Sequence, residues 1–146
     1  MIHNDFRYDN VVLDPGDLTR IRAVLDWEMA TLGDPLTDLG TTLAYWTEAE
    51  DPPVLRQFGP TTQTGNLDRQ QLLERYARQS GRDVSGILFY YVYGLFKNLV
   101  IILQIYARYR RGLTRDARFA PLLGILRVYA DLARRAIERE QISHLF

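Results

Sequence analysis

"HNDFRYDN", residues 3–10, places a carboxylate and a carboxamide five positions apart, Asp5 and Asn10, in a polar loop. Both side chains offer hard oxygen donors. The chain then runs into "NVVLDPGDLTRIRAVLDWE", residues 10–28. Val11 to Leu13 are apolar and β-prone, "DPGDLTR" supplies turn residues, and Ile21 to Leu25 form a second apolar run, so this stretch reads as a β-hairpin. A hairpin returns its far end to its beginning. Asp26, sixteen residues after Asn10, is therefore predicted to come back beside it. A carboxylate and an amide oxygen converging from two sides suit Mg²⁺, which keeps waters and takes phosphate oxygens as further ligands. Asp5 is left over, placed to accept a hydrogen bond from a substrate hydroxyl and orient it for in-line attack.

Beyond "TLGD" the pattern turns helical. Asp34 reads as an N-cap with Pro35 at the first helical position, and Leu36, Leu39, Leu43 and Trp46 recur on one face. Residues 50–66 read as a long irregular loop rich in Pro, Gly and Thr. A helix is expected from Asp68 or Arg69 to Gln79, with Leu72, Leu73 and Tyr76 inward and Gly81 ending it. A long apolar helix follows from about Ser85 to Arg111, stopped by Gly112. After a connector, the last helix spans about Pro121 to Glu140, with Leu122, Ile125, Leu126, Tyr129, Leu132, Ala133 and Ile137 inward. The expected fold is mainly α with a small β-hairpin, a single domain over residues 1–146. Residues 1–33 form the loop and hairpin, and 34–146 a helical bundle.

Composition narrows the function classes. The 146 residues carry 18 basic and 18 acidic side chains, so no global charge draws the chain to nucleic acid or acidic membranes. Cysteine is absent, which excludes disulfide scaffolds and Cys-based zinc sites. The N-terminus lacks the apolar core of a signal peptide, and a cytoplasmic location is expected. Residues 86–107 are long enough to span a bilayer. They also carry Lys97, Asn98, Gln104 and four Tyr, and read as a buried central helix rather than a membrane span. Arginine outnumbers lysine seventeen to one, with a cluster at Arg108, Arg110, Arg111, Arg115 and Arg118 that reads as a solvated helix end. Trp27, Tyr45 and Trp46 read as core, and Lys97 as a core lysine whose stem packs while its head finds water or a partner.

Together, "HNDFRYDN", "VLDWE" and "ATLGDPLTDLGTTLAYW" resemble the catalytic loop, metal-binding segment and following helix of the aminoglycoside phosphotransferase and choline kinase superfamily. The long helix and "YARYRRG" resemble the branch associated with acyl-CoA dehydrogenases. Motif-level similarity covers residues 1 to about 46. The resemblance implies a kinase-like fold, ATP and Mg²⁺ as cofactors, and phosphoryl transfer to a small-molecule alcohol. It implies Asp5 as catalytic base or hydroxyl-orienting residue, Asn10 and Asp26 as metal ligands, and Arg7 at the position where protein kinases carry a phosphate-touching Lys. His3 and Asp38 become structural supports of the loop. Asn4 stands where Gly is commoner.

Phosphoryl transfer also needs a cover over the phosphates and a cation on them. No Gly-rich loop follows a strand here, and the single Lys lies in the helical region. The expectation is a C-terminal lobe without its nucleotide-covering N-terminal lobe, inactive as this fragment. Its exposed apolar surface is expected to drive homo-oligomers. The competing expectation is a non-catalytic helical scaffold or binding module with a relic kinase loop. The sparsely acidic, Arg-rich helical region favours a neutral or anionic acceptor over a cationic one.

Overall fold

A computed structural model describes residues 1–146, apart from the side chain of Phe58. A 3-10 turn over Tyr8–Asn10 leads into strand β1, Val11–Asp14, which pairs antiparallel with β2, Asp17–Val24. Only Pro15 and Gly16 lie between the strands, and β2 starts four residues before the expected Ile21. Asp14 explains the tight turn: its carboxylate accepts from the Gly16 N–H at 2.8 Å and from Arg22 Nε at 2.9 Å across the hairpin. The ladder carries irregular register between Val12 and Asp14.

Four helices follow. α1 spans Pro35–Tyr45, α2 Arg69–Ser80, α3 Ile87–Arg110 and α4 Leu122–Arg139. The Asp34 side chain caps α1 by accepting from the Leu36 N–H, with Pro at the first position. Asp68 and Gln71 form a capping box on α2, and Gly81, at φ 67°, terminates it. The loop before α2 is less irregular than its composition suggests. It contains a 3-10 helix over Pro53–Phe58 and buries Asp51, Leu55 and Thr61.

α3 packs against both α1 and α4, and Leu43, Tyr91, Leu95, Ile125, Tyr129 and Leu132 form the centre of the core. Burial on α3 is one-sided. Ile87, Tyr91, Gly94, Leu95, Asn98 and Ile102 are buried, whereas Phe89, Tyr93, Phe96 and Leu103 stay exposed. By length and composition α3 is long and apolar enough to cross a membrane, and 33% of its most apolar window is buried. Ile137 is also turned outward at 58% exposure, contrary to expectation, and Ala136 fills the core beside it. The periodicity admits either neighbour, and the smaller one takes the buried position.

α1 and α3 touch backbone to backbone. A Cβ on Gly94 would stand 2.6 Å from the Gly40 carbonyl oxygen, and one on Gly40 would collide with the Tyr90 carbonyl. Two glycines at one crossing let the helices approach more closely than side chains permit. Asp38 lies two residues before that crossing on α1, and Lys97 three residues after it on α3. The crossing thus brings an acid and a base to the loop at residues 3–5.

Candidate active site

The loop is held from three directions. Asp38 on α1 accepts both the His3 N–H, at 2.6 Å, and the Asn4 N–H, at 2.5 Å. Buried His3 accepts the Asp5 N–H at Nδ1, 3.2 Å away, so Nε2 carries the proton and donates to the Leu25 carbonyl at 2.7 Å. One imidazole therefore links the loop to the end of β2. Asn4 adopts φ 67°, the left-handed region, where Asn is among the few tolerated non-glycine residues. That accounts for Asn in place of the commoner Gly.

Asn10 is buried, and its Nδ2 donates to the Asp5 backbone carbonyl at 2.7 Å and to Asp5 Oδ2 at 2.9 Å. With its amino side committed to Asp5, the carboxamide offers Oδ1 to any other partner. The Asn10 carbonyl accepts from the Leu25 N–H at 2.8 Å, which places Asp26 one residue beyond that bond. Asp26 also adopts a left-handed conformation, φ 63° and ψ 55°, where the strand ends. Its carboxylate is exposed and does not cap the following turn. Among the described residues it has no hydrogen-bond or ion-pair partner. Hard oxygens from Asn10 and Asp26, one freed by its amide's orientation and one unpaired, fit a divalent ion such as Mg²⁺.

Arg7 does not extend into open space. Its guanidinium lies over the Tyr45 ring, 5.0 Å from the centroid, with nitrogens 3.6 Å from Asp5 and from Asp9. Tyr45, read from the sequence as core, belongs to the site. Burial first, then the Asp5 charge and a hydrogen bond to Asp5, push its phenol up to about 12. The signal was present in α1. Asp38, Thr42 and Tyr45 share one helical face, and Thr42 Oγ1 donates to the Phe6 carbonyl at 2.8 Å. Polar groups at that spacing dock α1 on the loop. Lys97, also read as core, reaches the loop from α3 and donates to the Asn4 carbonyl.

The raised phenol has a measurable consequence. A tyrosine held above its ordinary 10.0 contributes stability while protonated. That contribution is complete below the ordinary value and is lost as pH rises through about 12. Burial pushes Tyr91 and Tyr129 upward as well. In an ultraviolet titration, part of the signal from the nine tyrosines is expected to ionise only together with loss of helical circular dichroism. Complete ionisation near the ordinary value, with helicity intact, would contradict this placement.

An apolar groove of about 580 Å³ runs beneath the hairpin, lined among others by Leu13, Ile21, Leu39, Trp46, Leu72 and Tyr76. Arg7, Asp38 and Thr42 also line it, whereas Asp5, Asn10 and Asp26 do not, so the groove adjoins the polar cluster through Arg7 and Asp38.

Comparison with known proteins bears on the same segment. The model of a family described as "Phosphotransferase enzyme family" matches residues 1–77. The chain is 34% identical over 116 residues to human "Acyl-CoA dehydrogenase family member 11", covering 77% of this chain and 14% of that protein. Mouse "Acyl-CoA dehydrogenase family member 10" is 32% identical over 124 residues, 82% of this chain and 11% of that protein. "Probable acyl-CoA dehydrogenase IBR3" of Arabidopsis thaliana is 28% identical over 118 residues, 77% of this chain and 14% of that protein. The chain thus spans only about a ninth to a seventh of the length of these relatives. No solved structure matches it.

Proposed function

The chain belongs to the phosphotransferase enzyme family, and from that premise we propose that its 146 residues form the helical, acceptor-side lobe of an ATP- and Mg²⁺-dependent enzyme phosphorylating a small-molecule hydroxyl. The observation that carries this reading is the orientation of the Asn10 carboxamide. Its amino group is fixed on Asp5, which leaves Oδ1 uncommitted, and the Leu25 N–H bond to the Asn10 carbonyl brings the backbone to within one residue of Asp26. Asn10 and Asp26 would hold Mg²⁺, which when bound neutralises charge on phosphate oxygens.

The side chain of Asp5 is only 16% exposed, so little of its carboxylate meets solvent. One oxygen, Oδ2, receives the Asn10 amide. The carboxylate is thereby held in one orientation and accepts a hydrogen bond from the substrate hydroxyl, aligning the lone pair that attacks. Arg7, stacked on Tyr45 beside it, supplies positive charge near the attacking oxygen.

Mn²⁺ is a suitable probe because it seeks the same oxygen donors and broadens nearby amide resonances. Broadening centred on Asn10 and Asp26, and lost in Asp26→Asn, is the expected result. Glu48, Glu50 and His144 form the alternative cluster, with ligand atoms within 4.8 Å of one another. Buried Glu48, however, already accepts from Arg69, Ser143 and the His144 N–H. Broadening centred there would sink the assignment.

These residues alone are expected to turn over ATP with alcohols at background rate. Their single Lys bonds the Asn4 carbonyl, and no Gly-rich strand–loop is present to cover phosphates. Robust phosphorylation by the purified chain, abolished in Asp5→Ala, would overturn that expectation.

A further inference from the structure

Lys97 is the one lysine among eighteen basic residues, and it sits midway along an apolar helix. Half-burying an ammonium is unfavourable unless something receives its protons. Burial pulls this amine below the ordinary lysine value, while the charges of Asp5 and Asp38 pull it back. The receiver is specific: Nζ donates to the backbone carbonyl of Asn4.

That carbonyl belongs to the peptide unit joining Asn4 to Asp5. The N–H of the same unit donates to His3 Nδ1. A peptide unit is planar, so anchoring its oxygen on one side and its N–H on the other fixes its rotation. With the Asp5 carbonyl held in turn by Asn10 Nδ2, this sets the direction in which the Asp5 Cα–Cβ bond leaves the chain. Asn4 needs such anchoring, because a non-glycine residue at φ 67° persists only where its surroundings hold it. Its own N–H is on Asp38, and its side-chain Nδ2 donates to the Met29 carbonyl at 3.0 Å. The Gly40–Gly94 crossing lets α3 come close enough for Lys97 to complete this set.

We propose that Lys97 is a positioning residue for Asp5, its ammonium locking the Asn4–Asp5 peptide against the N-terminal loop from α3. The proposal rests on the catalytic reading of Asp5, and it deepens that reading by assigning the loop's rigidity to a side chain 93 positions away.

Amide hydrogen exchange of the full 146-residue chain tests it with two variants. Lys97→Met keeps the apolar stem and removes the donor; Lys97→Arg keeps a donor and charge. In Lys97→Met the Asp5 amide is expected to exchange about ten- to a hundredfold faster, the loss of one charge-assisted hydrogen bond. Amides of buried Leu95 and Ile125 should be unchanged, and Lys97→Arg should recover at least half of the protection on a logarithmic scale. If Lys97 serves only by packing its stem, Lys97→Met behaves as wild type, and the proposal is wrong. It is equally wrong if the core loosens together with the loop, or if Lys97→Arg is as loose as Lys97→Met. Mn²⁺ broadening at Asn10 and Asp26 in the wild-type chain reports on the catalytic reading separately, so failure of one is distinguishable from failure of the other.

Discussion

Arg69→Met is expected to destabilise the fold by about 3–5 kcal/mol, the usual effect of removing one member of a buried ion pair and leaving its partners charged and dry. Arg69 is fully buried at the start of α2. Its guanidinium donates to Glu48 at 3.0 Å, to Asp51, to the Trp46 carbonyl at 2.7 Å and to the Ile142 carbonyl at 3.3 Å. It also lies 5.6 Å from the centroid of the Tyr91 ring. Glu48 in turn accepts from the Arg69 N–H, Ser143 Oγ and the His144 N–H. One side chain thus ties the end of α1, the loop before α2 and the C-terminal segment together. Chemical denaturation gives the measurement. A loss under about 1 kcal/mol would mean that water or rearrangement satisfies both acids. Removing all three charges together is expected to be less harmful than removing Arg69 alone, because no unpaired charge then remains buried.

Gly40→Ala is the second large effect, expected at about 3 kcal/mol or more, the upper range for forcing atoms into a filled interface. The added methyl would collide with the Tyr90 carbonyl, which is backbone in the first turn of α3 and has no rotamer through which to yield. The helices must separate, and that separation draws Asp38 and Lys97 away from the loop at residues 3–5. Faster amide exchange at Asp5 should accompany the lost stability. Gly124 in α4 supplies the control, since a Cβ there meets nothing within 4 Å and its backbone is not left-handed. Gly124→Ala should be neutral or stabilising by about 0.5–1 kcal/mol. Equal stability of the two alanine variants in thermal melts would disprove the close crossing.

The legible features share a short range. Asp34 with Pro35, Asp68 at the start of α2, and Gly81 signal helix ends through bonds between residues at most four apart. The stripe of Leu36, Leu39 and Leu43 needs only the helical period to be recognised, and all three are buried. The motifs that contain His3, Asp5, Asn10, Asp26 and Asp38 likewise carried the resemblance to the family within residues 1 to about 46. Periodicity proved weaker at the margins of a stripe. Ile137 and the outer face of α3 are apolar yet exposed, because position on the helix, not hydrophobicity, selects what meets the core.

From the chain's letters alone came the caps, the helical stripes, the hairpin and the loop that names the family, since each is encoded in neighbours along the backbone. Folding in three dimensions settled which side chains brace that loop, Lys97 on Asn4 and Tyr45 beside Asp5, and which form the buried ionic cluster elsewhere, Arg69 among Glu48, Asp51 and the C-terminal segment. Those partners lie tens of residues apart, and no local period links them. Lys97 reaches the loop because two glycines allow α1 and α3 to come within backbone contact, and the charges of the Arg69 cluster are stable only where the packing brings their partners.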